Sequence, residues 1–187
     1  MKKLALVLLG LALCGTALAG QDEKAKPEAY SGVAMGVGGT VGGSSTWFRF
    51  EVNHYTTDEE VKQLALLLKE KGQHALQDAL DKADVGRIAP TGKVGDQIAV
   101  ARKLRINGKT VIRIVTARNM SFLEVRNAGR STDYPFGYLE VTLNDKGEGV
   151  GQFILAAKLK FNQKKGHYEL ESLGNQYVKA RNVRPEK

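Results

Sequence analysis

Residues 97–117 read QIAVARKLRINGKTVIRIVTA, two runs alternating at period two about Asn107-Gly108. Both central residues of a tight hairpin turn of this kind need positive φ, which Asn-Gly adopts at little steric cost, so the stretch predicts two paired antiparallel strands. The flanking Ile and Val side chains are β-branched and suit a pleated, half-buried surface. The same period continues towards the C-terminus. In Gly137–Asn144, Leu139, Val141 and Leu143 share a face. Asp145-Lys146-Gly147 turns the chain into Val150–Phe161, where Phe153, Leu155, Ala157, Leu159 and Phe161 share a face. Gln163–Gly166 turns it again into His167–Leu173, and Gly174-Asn175 leads to a last strand, Tyr177–Val183.

Towards the N-terminus, TWFRFEVNHY (46–55) is a first strand, with Trp47, Arg49, Glu51 and Asn53 opposite Phe48, Phe50, Val52 and His54. The period then changes. Thr57 is placed to cap a helix, with Glu60 three residues on as its reciprocal partner. Val61, Leu64 and Leu68 form an apolar stripe at helical spacing, which Gly72 ends. A second, shorter helix carries Ala75, Leu76, Ala79, Leu80 and Ala83 on one side. Helices gathered apart from strands predict an α+β fold: one strand, a helix pair, then a curved antiparallel meander of about six strands.

MKKLALVLLGLALCGTALAG opens the chain with two lysines, an apolar run and an Ala-x-Ala site, the pattern of a signal peptide over residues 1–19. The expected location is periplasmic or secreted. Cys14, the only cysteine of the chain, leaves a lipidated terminus open as a second reading, but Leu13 stands where such a signal wants a small residue. Cleavage after Ala19 would leave a cysteine-free chain without disulfides, held by core packing alone. Residues 20–45 are charged, then rich in Gly and Ser, which suggests a flexible linker. Val33, Met35, Val37 and Val41 fall on odd positions and leave an edge strand as the alternative. The single domain is then expected over 46–184, with residues 185–187 as a tail. No transmembrane span is expected in the mature chain.

The net charge is +8, falling to +6 without Lys2 and Lys3, which favours weak association with anionic glycans, lipid headgroups or nucleic acid. Specific nucleic-acid binding is not expected, because the lysines at 158 and 160 share their face with Ile154 and Ala156 rather than aromatics. No nucleophile elbow, HExxH or complete phosphate-binding loop occurs. His54, His74 and His167 fall on separate predicted elements, and no metal or cofactor is expected. The richest stretch is RNMSFLEVRNAGRSTDYPFGY (118–138). Its Arg118, Arg126 and Arg130, with Asp133 and Tyr134, form a candidate ligand site, since guanidinium groups among aromatics bind anions and stack on planar groups. The same segment also reads as a long loop whose arginines pair with its own Glu124 and Asp133.

The stretch SFLEVRNAGRSTDYPFGYLEV (121–141) and the helix opening YTTDEEV resemble a family of small secreted bacterial proteins without an established activity, over about Thr46–Arg184. The resemblance implies export and one shared domain, and transfers no site. The expected function is a non-enzymatic binding or envelope-associated module, its partner an anionic envelope surface or a small ligand. A carrier with a cavity between sheet and helix pair is one alternative, with Arg126 and Arg130 at its mouth. A hydrolase using His54 or His167 is another.

Overall fold

In the computed structural model, which describes residues 26–37, 42–118, 120, 133–162, 167–173 and 177–186, Asn107 and Gly108 take φ of 49° and 76° and close the expected hairpin. The elements run β1 (Glu28–Val37), β2 (Ser45–Val52), α1 (Asp58–Leu80), β3 (Gly86–Pro90), β4 (Asp96–Ile106), β5 (Lys109–Thr116), β6 (Phe136–Leu143), β7 (Gly149–Asn162), β8 (His167–Ser172) and β9 (Tyr177–Pro185). All pairings are antiparallel, in the order β6-β5-β4-β3-β2-β1-β9-β7, and β6 pairs β7 to close the ring. The result is an eight-stranded closed barrel. β8 is an extra strand laid along the second half of β7, from Ala157 to Asn162.

This corrects the expected α+β fold with an open meander and a helix pair. The molecule is mostly β, and its two expected helical stretches run together as one element, α1, bent at Gly72 (φ 81°, ψ −171°). The decisive difference lies in residues 28–37, expected within a linker. They form β1, paired with β2 on one side and β9 on the other, and so join the first and last strands of the ring. Their glycine has a packing role: at Gly32 a side chain would meet the ring of Phe48 and the carbonyl of Arg181. Closure at β7 has the same origin, since a Cβ on Gly151 would lie 2.2 Å from the Glu140 carbonyl oxygen. Glycine lets the two strands approach where the sheet coils.

The barrel is filled by side chains. Phe48, Phe50, Ile88, Ile98, Ile112, Ile114, Leu139, Val141, Phe153 and Val178 are fully buried in one cluster. Tyr30 stacks on Phe50 at 4.9 Å, and Phe153 meets Phe48 edge-on at 5.0 Å. Edge-to-face and stacked rings gain from the complementary charge of ring edge and face as well as from area. Outside the wall, Leu68, Leu76 and Leu80 of α1 pack with Ala99, Ala117 and Phe136, and with Val100, Val115, Leu159 and Tyr168. The Tyr168 hydroxyl donates to the Ala65 carbonyl and ties β8 to the helix. Thr57 caps α1 as expected: its hydroxyl accepts from Glu60 N–H while Glu60 accepts from Thr57 N–H.

Outward positions on the wall carry Arg49, Glu51, Arg87, Arg113, Glu140, Lys179 and Arg181, while the interior is apolar. A membrane-spanning barrel has the opposite arrangement, apolar outside and polar within. Among the described residues no helix is long and apolar enough to cross a membrane.

Candidate functional site

The two ends of the barrel differ in chemistry. At one end stand the β4–β5 and β6–β7 turns, the start of β1 and the end of β9. The Glu28 carboxylate there accepts from the hydroxyls of Tyr30 (2.7 Å) and Tyr55 (2.8 Å) and from Lys103 Nζ at 2.8 and 2.9 Å. Burial opposes the charge on Glu28, yet the hydrogen bonds from Lys103, Tyr30 and Tyr55 outweigh it and hold its carboxyl below the ordinary value. Burial first, then the hydrogen bond to Glu28 and its charge, push both tyrosine hydroxyls up. The cluster works as a fastener: it joins β1 to β4 and to the segment before α1, which itself pairs with β4 through Thr56 and Ala101. Beside it lies an open concavity of about 360 Å³, bordered by Lys103, Arg105, Thr110, Asn144 and Asp145.

The opposite end gathers the last residues of β1, the first of β2 and β9, and the β3–β4 turn. Three large apolar side chains face solvent there: Trp47 is 55% exposed, Met35 39% and Val94 79%. The register places Val33 between Trp47 and Arg181 in one row across β2, β1 and β9, and Met35 beside Lys179 in the next. Met35 is thus a diagonal neighbour of Trp47, within reach across the sheet. Val94 belongs to the turn whose first residue, Thr91, donates its N–H to the Trp47 carbonyl at 2.9 Å.

Lys93, Lys179 and Arg181 surround these side chains, and among the described residues none has a carboxylate within 4.0 Å. Several basic residues elsewhere on the wall are neutralised, although Arg87 and Arg184 also have no carboxylate within 4.0 Å among the described residues. Arg49 holds Glu186 at 2.6 Å and Glu51 at 2.8 Å. Arg113 holds Glu140 at 2.7 Å, and that carboxylate also accepts from Tyr138. Lys160 pairs with Glu171, and Arg102 with Asp58. An uncompensated positive group beside exposed apolar side chains is the arrangement best suited to an anionic partner with an apolar component. The acid nearest in sequence, Asp96, lies half-buried at the foot of the turn, on the interior side of β4 with Ile98.

The expected site at 118–134 is only partly described. Arg118 is exposed at the end of β5 with Asp81 at 3.8 Å, Asp133 is exposed, and the Tyr134 hydroxyl donates to Glu171 at 2.8 Å. Hydrogen bonds from Lys160 first, then Tyr134, hold the Glu171 carboxyl below its ordinary value. Arg118 and Tyr134 are thus directed to different elements, α1 and β8. Arg126 and Arg130 lie outside the described residues. His54 and His74 are exposed, on the loop before α1 and on α1 itself, and His167 is described in its backbone alone. Among the described residues no three His, Cys, Asp or Glu side chains converge as a metal site would require.

Sequence reading passed over Met35, Lys179 and Arg181. Met35 fell in the expected linker. The basic pair was legible in YVKARNV, where Val178 and Ala180 alternate with Lys179 and Arg181. Trp47 was placed correctly on the polar side of its strand, and a tryptophan on such a face was a signal of this site that the sequence reading did not use.

Neither a protein-family model, nor a curated protein, nor a solved structure matches this chain.

Proposed function

We propose that this protein is an exported, non-enzymatic binding module that associates with an anionic surface of the cell envelope. The observation supporting it is the group Lys93, Lys179 and Arg181, without carboxylate partners among the described residues, beside exposed Trp47 and Met35. Exposed cations attract an anionic surface over about one Debye length, ~10 Å at 0.1 M salt and ~3 Å at 1 M. Association with an anionic surface should therefore weaken steeply with salt. Replacing Lys179 and Arg181 by glutamate should abolish it at moderate ionic strength. Equal, salt-independent retention on neutral and anionic surfaces would sink the reading.

A second reading attaches to the concavity beside Glu28, whose volume of about 360 Å³ falls within the range of small-ligand sites. It is a mouth site, because the barrel interior and the space under α1 are filled by their own side chains. Native against denaturing mass spectrometry of the protein from its natural source tests it. A reproducible mass lost on denaturation, and lost again in Arg105→Ala, would support a carrier. A bare polypeptide mass in both would dismiss it.

A further inference from the structure

We infer that the Trp47 end of the barrel docks on an anionic phospholipid bilayer, with Trp47, Met35 and Val94 at headgroup depth and Lys93, Lys179 and Arg181 on lipid phosphates. This rests on the anionic-surface reading above and names the surface. The choice of bilayer over an anionic polysaccharide comes from the apolar side chains. A polyanion offers charge but no apolar phase, whereas Trp47, Met35 and Val94 all project into solvent at the same end as the cations. Tryptophan in particular settles at bilayer interfaces, where its ring is apolar and its N–H remains wet.

The wall also limits how deep the barrel can sit. Arg49 follows Trp47 by two residues along β2, about 7 Å at the usual strand rise. It carries Glu51 and Glu186 with it. That charged belt stays in water, so the end enters only the interfacial layer, the depth at which amphipathic surfaces bind.

The test uses the protein as recovered from its producing cells, with vesicles of phosphatidylcholine alone and of phosphatidylcholine and phosphatidylglycerol at 7:3, and with dextran sulfate. Trp47 is the only tryptophan, so its emission reports directly on the proposed contact. Binding to the mixed vesicles is expected with a blue shift, and weak binding to phosphatidylcholine alone. Lys93→Gln, Lys179→Gln and Arg181→Gln together should weaken vesicle binding roughly a hundredfold, at about fivefold per cation. Val94→Asp, in an exposed turn and leaving the probe intact, should also weaken it and reduce the blue shift. Circular dichroism verifies the fold of both variants. Equal binding to dextran sulfate and mixed vesicles, with unshifted emission and no effect of Val94→Asp, would overturn the bilayer inference while leaving an anionic surface in place. Binding to neither would overturn both.

Discussion

Replacing Glu28 by glutamine should loosen the seam between the first strand and the rest of the barrel. The carboxylate accepts from two tyrosine hydroxyls and a lysine, and a hydrogen bond to a charged group contributes roughly 1.5–3 kcal/mol when buried. Solvent reduces this here: the side chains of Glu28 and Lys103 are 35% and 39% exposed, so their ion pair counts as a surface pair of up to ~1 kcal/mol. The amide keeps one acceptor oxygen but turns an N–H₂ towards other donors. The net loss should be about 2 kcal/mol, a fall in Tm of about 4–8 °C for a domain of this size. The difference should depend on pH. The folded pKa lies below the unfolded one, so the carboxylate stabilises fully above its ordinary value of 4.5 and loses that contribution as pH falls through the folded value. Urea unfolding of both proteins at about pH 7 and about pH 3 measures this. Equal stability at pH 7, or a difference unchanged at pH 3, would refute the account of Glu28 as an ionised fastener.

Thr57→Ala removes the helix cap and should cost about 1 kcal/mol by urea unfolding, with Glu60 losing the hydroxyl's hydrogen bond but keeping that from the backbone N–H of residue 57. Gly151→Val should prevent barrel closure, seen as lost near-ultraviolet dichroism and an expanded hydrodynamic radius, because even its Cβ would lie 2.2 Å from the Glu140 carbonyl oxygen. Gln73→Leu should stabilise by about 1 kcal/mol, because both polar atoms of the buried Gln73 amide lack a hydrogen-bond partner among the described residues. An unchanged or lower Tm would show that the Gln73 amide is satisfied in solution.

Local chemistry was legible in the sequence, and ring closure was not. Asn107-Gly108 and Thr57 with Glu60 each act through backbone geometry a few residues away, so their identity alone predicts the turn and the cap. Gly72 was correctly read as a break in helical geometry, but the chain re-enters the helix immediately, and a bend resulted instead of two helices. β1 was obscured because its inward positions include Gly32 and Ala34, small so that Phe48 and its neighbours fit. Its larger apolar residues, Val33, Met35 and Val37, lie on the opposite side of the strand from Tyr30 and Ala34. A strand whose bulk faces outward resembles a glycine-rich linker when hydrophobic size alone is weighed. The candidate face was harder still to read, since Trp47, Met35, Val94 and Arg181 come from four segments that only the barrel register assembles.

The pairing of β1 with β9 also sets a timetable. Ser31 waits for Arg184, so the ring cannot shut until nearly the whole chain is present. Contacts between such distant partners form late, because the intervening chain must be closed into a loop before they can contribute. For a polypeptide threaded through a membrane pore from its N-terminus, this delay is useful. Under the export proposed above, the leading strand would emerge without its last neighbour, and the barrel would assemble on the far side, after passage.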